Sequence, residues 1–460
     1  MAHLTGAGER TAIDGAVKGA VHGGSFTRVS HPAKRCIFIG LLGAPSQHDM
    51  FWHKPELQAR DGESLPEELL KKHRFPGGAA APARVRLMAS PYKFQQHGSS
   101  GLYFSELLPH LARRADDIAI IHTMHSPQIT HAPAQLLTMT GFPRQNRPSI
   151  GAWVAYGLGA ESQNLPAFVV LWSGISTYSL SSLWSNGVLP GECAGVQMHT
   201  YSSEPLSRLT PPSGVTMTDQ RRSLDAIRRL NELRLDQLRK NQQSEPDIES
   251  RIHAYELAFR LQSAAPEAAD LRGESPSVLA AYGVNRESAR ASEFAKHCLF
   301  ARRLIERGVR FVNLFNSSWD HHDDIFQNLP KRCLDVDQPI AALIADLKAR
   351  GLLDDTLVVW ATEFGRTPFA QVRLTEPGRD HHRLAFPIWM AGAGVKAGFE
   401  HGETDDFGWE PIGPSYDLND MQATLLHLLG IDHTRLTVRH NGRDLRLTDV
   451  GGRVIESILA

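Results

Sequence analysis

Residues 309–324 read VRFVNLFNSSWDHHDD, an apolar run followed by a cluster of acids and histidines. Val309–Phe315 has the length and apolar content of a buried β-strand. Two similar clusters follow along the chain: EFGR (363–366) comes after the apolar run 356–361, and GRDHH (378–382) comes before the run 386–391. Carboxylates and imidazoles at strand ends are the donors that a divalent metal needs, and ligands bind at strand ends in open α/β sheets. The pattern therefore predicts a metal-centred hydrolytic site.

Apolar runs typical of strands alternate with amphipathic segments typical of helices. Further strands are predicted at 35–42, 117–122 and 166–172, and helices at 105–114, 131–140, 293–307, 334–350 and 418–429. Residues 219–262 predict two helices separated near Ser244-Glu245-Pro246. The alternation predicts an α/β fold, a mostly parallel β-sheet with helices on both faces and a helical excursion around 219–307. We expect residues 33–460 to form one domain and residues 1–32 to form a flexible N-terminal arm.

Composition narrows the classes of function. The net charge of −1 and the sequence pI of about 7.1 argue against a general surface for nucleic acid or anionic membrane. The four cysteines are far apart and show no CxxC spacing, which argues against a disulfide framework or a zinc-thiolate site. No run has the roughly 18 apolar residues of a membrane span, and the first 30 residues lack the apolar core of a signal peptide. The default expectation is a cytoplasmic protein, or an exported one if an export signal has been lost from the start of the chain.

Asp320 and His322 have the i, i+2 spacing that lets two side chains in an extended loop share one metal. Asp49, in the polar loop after the first strand, is a further candidate ligand, although Pro45-Ser46-Gln47 also suits a simple turn. His131 precedes a predicted helix, whose N-terminus attracts anions. An ordinary core or surface imidazole is the alternative for His131.

Three side chains beside these candidates suit catalysis. Glu363 ends a strand, where it could bind a second metal or a substrate-bound water; a helix N-cap or an ion pair with Arg366 are its alternatives. Arg366 and Arg379 are fork-shaped donors that suit phosphate, sulfate or carboxylate oxygens. Pairing of these arginines with Asp380 or Glu363 is the alternative.

The order of these landmarks resembles the alkaline phosphatase/sulfatase superfamily from about Arg35 to Gly430. The resemblance is closest to DUF1501, a family often labelled sulfatase-like. It rests on GAPSQHDMFWHKPEL from Gly43, SPYKFQQHGSSG from Ser90, HAPAQLLTMTG from His131, RPSIGAWVAYGLG from Arg147, and on WDHH, EFGRT and GRDHH. It implies an alkaline-phosphatase-like fold and divalent metal ions, with Zn, Ca, Mg and Mn all open.

The resemblance also bears on individual residues. His131 stands at the position similar to the modified cysteine of sulfatases, and Gln135 at that of the following arginine, so formylglycine chemistry is not implied. Asp320, His322, Asp380 and His381 retain the character of one metal shell, with Asp49 nearest to the aspartate of the first strand. His131 is then a ligand or a phosphohistidine-type nucleophile, and Glu363, Arg366 and Arg379 complete the expected catalytic set.

Three interpretations stay open. The first is a metal-dependent hydrolase of a phosphate or sulfate ester, or of a related small anionic substrate. The second is a non-catalytic protein of the same fold that binds a metal or a ligand. The third is a phosphomutase or transferase, for which Ser46, Thr130 and His131 are the candidate nucleophiles. No nucleic-acid or membrane partner is expected, and the sequence leaves the oligomeric state open.

Overall fold

A computed structural model describes residues 33–68, 85–174, 180–200, 205–206, 211, 213–241, 246–286, 288–371 and 376–460. The expected N-terminal arm and the predicted helix break at Ser244-Glu245 lie outside these residues. The described strands are β1 (Arg35–Leu41), β2 (Phe94–His97), β3 (Leu102–Ser105), β4 (Ile118–His125), β5 (Phe168–Ser173), β6 (Val196–Met198), β7 (Phe311–Asn316), β8 (Thr356–Ala361), β9 (Gly365–Gln371), β10 (Gly378–His382), β11 (Phe386–Gly392), β12 (Phe399–His401), β13 (Glu403–Thr404), β14 (Pro411–Ile412), β15 (Tyr416–Asp417), β16 (Val438–His440) and β17 (Arg443–Leu445).

The described α-helices are α1 (Gln47–Met50), α2 (Pro55–Ala59), α3 (His131–Thr140), α4 (Ile150–Leu158), α5 (Met217–Lys240), α6 (Pro246–Ala269), α7 (Pro276–Tyr282), α8 (Ala289–Glu306), α9 (Ile325–Ala349) and α10 (Leu418–Leu428). Helices α5 to α8 occupy the region of the predicted helical excursion. None of the helices in the described residues combines the length and the apolarity that a membrane span requires.

The central sheet has the strand order β12-β4-β11-β8-β1-β7-β5-β6, and β15 also pairs with β4. Strand β1 pairs in parallel with β7 and β8, and β5 pairs in parallel with β6 and β7. Strand β11 is the exception, because it runs antiparallel to both β4 and β8. The predicted mostly parallel α/β sheet is therefore confirmed, with one reversed strand inside it.

Both faces of the sheet are buried, as the continuous apolar strands require. In β1, Ile37 and Ile39 join the core formed with α8 and α9, while Cys36 and Phe38 join the core formed with α3, α4 and α10. Successive side chains of a strand point to opposite faces, so one strand supplies both cores. The predicted helices on both faces are thus confirmed.

The helix predicted at 105–114 is wrong. The chain there ends strand β3 at Ser105 and forms a 3₁₀ helix only at Leu111–Asp117. The carboxylate of Asp337 accepts hydrogen bonds from the backbone amides of His110 (2.9 Å) and Leu111 (2.7 Å). A carboxylate from α9 satisfies these amides in place of helical carbonyls, and the local apolar spacing cannot indicate so distant a partner.

The direction of the strands determines where the chemical groups meet. The segments that follow β1, β4, β7 and β8 leave the carboxyl edge of the parallel strands. Because β11 is antiparallel, the segment that precedes it lies at this same edge. The three sequence clusters and the start of α3 are therefore brought to one end of the sheet, where open α/β sheets bind ligands.

Candidate metal centre

Four side chains converge at this edge: His131, Asp320, His322 and His381. One ligand atom from each lies within 4.8 Å of the others. Oδ1 of Asp320 lies 3.2 Å from Nε2 of His131, 2.9 Å from Nε2 of His322 and 3.5 Å from Nε2 of His381. Three imidazole nitrogens around one carboxylate oxygen form a donor set of the kind that binds a divalent transition metal.

The ring of His131 is oriented from behind by Glu363. Nδ1 of His131 donates to Oε1 of Glu363 at 2.7 Å, which directs Nε2 towards Asp320. A carboxylate behind an imidazole is the arrangement that holds metal-ligating histidines in the required tautomer. Glu363 therefore acts on the cluster through His131.

The ring of His381 is oriented in the same way by a backbone carbonyl. Nδ1 of His381 lies 2.7 Å from the carbonyl oxygen of Ile129, two residues before His131. A hydrogen on Nδ1 leaves Nε2 of the neutral ring as an acceptor. That nitrogen lies 2.9 Å from Nε2 of His322. A cation between these rings would use both lone pairs.

The loop after β1 supports Glu363. The carboxylate, which is fully buried, also accepts from the backbone amide of Gly43 (2.9 Å), from Nε2 of Gln135 (2.9 Å) and from the hydroxyl of Thr362 (3.1 Å). Gly43 has φ of +113°, and a Cβ there would lie 2.6 Å from the backbone nitrogen of Asp320. Only glycine allows this close approach of two loops.

The electrostatics of the cluster suit a cation. Burial alone would raise the pKa of Asp320, but hydrogen bonds with His131, His322 and His381 and the charge of Arg366 hold it far below its usual range. Burial lowers the pKa of His381 to about 4, with only partial compensation from Asp320. Asp320 is thus an anion and His381 a neutral base, the forms that ligate metals.

His131 behaves differently without a metal. Burial lowers its pKa, but hydrogen bonds to Asp320 and Glu363 outweigh burial and raise the pKa to about 9. The imidazole is therefore held between two carboxylates as a cation. A metal ion that binds there has to displace this proton, because ligation requires the free lone pair.

One side of the cluster faces solvent. The side chains of Asp320 and His322 are 37% and 33% exposed, whereas those of His131 and His381 are only 4% and 8% exposed. His131 and His381 therefore form a buried inner pair, and Asp320 and His322 form an accessible outer pair. A small molecule can approach from the side of Asp320 and His322.

Arg366 lies beside the cluster with its guanidinium directed inward. Its donors go to the carbonyl oxygens of Gly43, Ala44 and Arg379, and Nη2 donates to Oδ1 of Asp320 at 2.6 Å. The residue is 1% exposed. In this structure it ties the loops after β1 and β7 to β10 and is not placed to receive a substrate oxyanion.

Asp49 and Arg379 form a buried ion pair away from the cluster. Nε and Nη2 of Arg379 donate to the two carboxylate oxygens of Asp49 at 2.8 and 3.1 Å, and Ser46 donates to the same carboxylate. Both residues are fully buried. Asp49, predicted as a ligand, and Arg379, predicted as an oxyanion donor, neutralise each other in this structure, and neither lies in the group of four.

Asp380, also predicted as a ligand, does not join the group of four. Its Oδ1 accepts a hydrogen bond from the backbone amide of His381 at 2.7 Å, and its own amide donates to Thr367. Asp380 therefore fixes the backbone that carries His381. The structure thus brings together four of the six predicted ligands.

Sequence reasoning missed two parts of the site. The carbonyl of Ile129 leaves no signal in a sequence, because every residue carries one. Phe364 lies inside the EFGR motif, and its ring packs against those of His131 and His381 at centroid distances of 4.9 and 4.6 Å. The position of Phe364 inside a polar motif indicates that an apolar ring packs beside the polar groups.

Solved structures similar to this chain are distant in sequence and backbone. The lipoteichoic acid synthase LtaP from Listeria monocytogenes has 10% identity and a TM-score of 0.40, over 91% of this chain and 75% of that one. The PsFucS1 sulfatase from Pseudoalteromonas sp. has 12% identity and a TM-score of 0.37, over 90% and 74%. Alkaline phosphatase from the Antarctic bacterium TAB5 has 11% identity and a TM-score of 0.35, over 87% and 98%.

Comparison with curated proteins finds no match. A family model matches residues 33–459, nearly the whole chain, and includes all four residues of the cluster. The chain therefore belongs to the family described as "Protein of unknown function (DUF1501)".

Proposed function

We propose that this protein is a metal-dependent hydrolase that acts on a phosphate or sulfate ester or a related anionic substrate. The observation that carries the proposal is the convergence of His131, Asp320, His322 and His381, with the two inner imidazoles each oriented from behind. Three Nε2 atoms lie within 3.5 Å of one carboxylate oxygen, which is the donor arrangement that a divalent transition metal needs.

The donor set favours one class of metal. Three imidazole nitrogens suit zinc and other first-row transition ions, whereas calcium and magnesium take mainly oxygen ligands. We therefore propose zinc or a related transition ion. When bound, such an ion would polarise an ester oxygen and lower the pKa of a coordinated water.

The residues of this chain would then have distinct roles. His131 and His381 would hold the ion from the buried side, and Glu363 would keep the His131 ring in place. Asp320 and His322 would hold it from the exposed side, where the substrate enters. Arg366, bonded to Asp320, would set the position of that carboxylate rather than bind the substrate.

A direct nucleophilic role for the protein has less support. Ser46 is buried and donates to Asp49, and both nitrogens of His131 face carboxylates. Of the three candidates, only Thr130 is exposed. Hydrolysis by water is therefore preferred to transfer through a protein adduct.

A non-catalytic metal site is the second candidate, and one observation favours it. The structure supplies four protein donors, the number that structural zinc sites use, whereas catalytic sites usually supply three. The exposure of Asp320 and His322 favours catalysis, because an exposed ligand can be exchanged for substrate. Activity measurements separate the two candidates.

The test is hydrolysis of aryl phosphates, phosphodiesters and aryl sulfates by purified protein with zinc, manganese, iron or cobalt added. We expect one ester class to be hydrolysed, and Asp320→Asn to lower kcat/KM by about 100-fold or more, because a weakened ligand set holds less of the metal that stabilises the developing charge. Asp323→Asn, an exposed carboxylate three residues away, is the matched control. Intact esters with every metal, in protein that holds stoichiometric metal, would favour the non-catalytic candidate.

A further inference from the structure

Three clefts outside the metal centre adjoin one another, and together they are called the groove. The first, of about 240 Å³, and the second, of about 430 Å³, share Trp52, His53 and Lys54. The third, of about 390 Å³, shares Gln58 and Ser90 with the second. The shared lining residues place the second cleft between the other two. An extended groove suits a chain-like ligand better than a single small molecule.

Aromatic rings line this groove along its length. His53 lies 4.8 Å from Tyr103 and 5.9 Å from Phe94, and Tyr92 lies 6.2 Å from Phe326, as ring centroids. His53 is exposed and the other four rings are half-buried, so each has surface available to a ligand. The rings pack on one another in two groups, and the parts left exposed offer apolar surface on which a sugar ring can rest.

Polar groups share the lining of the groove with the rings. The exposed amides of Gln58 and Gln95 and the hydroxyl of Ser90 line the second cleft. An amide offers both a donor and an acceptor, and a hydroxyl offers the same from one oxygen. Such groups pair with ligand hydroxyls, which also donate and accept. The lining is therefore suited to a ligand that has apolar faces and a rim of hydroxyls.

The charges of the groove are balanced. Its lining includes three cationic side chains, Lys54, Lys93 and Arg86, and three carboxylates, Asp61, Glu400 and Glu403. Lys54 is further occupied by the carbonyls of Thr404 and Asp405. A polyanion such as a nucleic acid needs a cationic excess that this groove lacks.

From the adjoining clefts, the aromatic rings and the amides that share their lining, we infer that this groove binds a linear, largely uncharged polysaccharide chain. The C–H faces of successive pyranose rings would stack on the aromatic rings, and their hydroxyls would bond the amides. Pro377 lines the third cleft. The next residue, Gly378, packs so closely on His322 that a Cβ there would lie 2.0 Å from the carbonyl carbon of His322, so Pro377 adjoins the loop of the metal cluster.

Affinity electrophoresis of the full chain tests this inference. Native gels that contain soluble cellulose ether, galactomannan or arabinoxylan are compared with a gel without polymer and with a gel that contains pectin, a polyanion. We expect at least one neutral polymer to slow the protein more than pectin does. The experiment is repeated on chelator-treated protein, and we expect the same retardation, since binding in the groove does not need the metal. If chelation removes the metal or the activity and retardation stays the same, the result concerns only the proposed hydrolase, and the inference on the groove stands.

Variants locate the binding surface. Phe94→Ala removes one of the aromatic rings, and Gln95→Ala shortens an exposed side chain. Each variant is expected to weaken retardation by about tenfold in polymer concentration, the effect of losing one good contact. Tyr255→Ala, an exposed aromatic on α6, is the matched control and should migrate like the wild type. The inference is overturned if no neutral polymer slows the protein, if both groove variants are slowed as much as the wild type, or if casein peptides compete for the groove and the polysaccharides do not.

Discussion

Nδ1 of His131 lies 2.7 Å from Oε1 of Glu363, and this contact decides which nitrogen of the imidazole faces the metal cluster. The two residues are 232 positions apart: His131 begins α3, and Glu363 follows the end of β8. The position of Glu363 is fixed in turn by the amide of Gly43 and the side chain of Gln135. The ligand geometry therefore depends on a buried carboxylate that would never touch the metal.

Replacing Glu363 by glutamine tests this dependence. The amide oxygen can still accept from His131, Gly43 and Gln135, which all bond Oε1, but the negative charge of the carboxylate is lost, so the His131 ring is held less firmly. We expect the affinity for zinc to fall about 10- to 100-fold, the usual effect of removing such a partner. Competition titration with a chromogenic chelator measures it.

The control for this experiment is Glu56→Gln, an exposed residue of α2. Circular dichroism should show that both variants are folded. Unchanged zinc affinity in folded Glu363→Gln would mean that Glu363 does not orient His131.

The ion pair between Asp49 and Arg379 predicts that replacing either residue lowers the stability of the fold and does not remove a metal ligand. Arg379→Met or Asp49→Asn leaves one buried partner without its counterion, and we expect the free energy of unfolding to fall by about 3–5 kcal/mol. The Asp49→Leu/Arg379→Met double variant should lose less than the sum of the single losses, because the paired residues are coupled. Urea unfolding measures all of these values.

The metal content of the variants tells whether Asp49 is an ion-pair partner or a metal ligand. Folded Asp49→Asn protein should retain the metal stoichiometry of the wild type. An exposed pair, Asp270 with Arg272, serves as control, and its disruption should leave the unfolding midpoint unchanged. Loss of metal from folded Asp49→Asn would restore Asp49 as a ligand.

His297 predicts a dependence of stability on pH. Its Nδ1 lies 2.6 Å from the hydroxyl of Ser173, and burial lowers its pKa from 6.5 to about 3. Between these values the unfolded chain binds a proton and the folded chain does not. Stability is therefore intact above pH about 6.5 and is lost as the pH falls towards about 3, by about 1.4 kcal/mol per pH unit from this group.

His297→Gln removes the titrating group, so its stability should fall less steeply than that of the wild type between pH about 6 and about 4. Urea midpoints of both proteins across this range give the difference. Parallel pH profiles would show that His297 is not a neutral buried group in the folded state.

Parts of this molecule could be predicted from its sequence because their signals are local. The runs 356–361 and 386–391 are continuous and apolar, so their strands were evident, and WDHH and GRDHH marked three of the four cluster residues. The reversal of β11 was not evident, since periodicity carries no direction. Yet this reversal is what places His381 opposite His131.

The two arginines show where local signals fail. A guanidinium beside carboxylates suits an oxyanion site and an internal pair equally well. Which role applies depends on distant partners: Asp49 is 330 positions from Arg379, and Arg366 bonds the carbonyl of Ala44, 322 positions away. Only the folded structure shows that the guanidinium groups of both arginines already have hydrogen-bond partners.

Elemental analysis of the purified protein tests the central claim most directly. After loading with zinc and removal of the excess, we expect one metal ion per chain in the wild type and in the Asp323→Asn control. Folded Asp320→Ala and His381→Ala should each hold far less than one. A wild-type protein that binds no divalent metal, or variants that keep the full amount, would contradict the assignment of His131, Asp320, His322 and His381 as a metal centre.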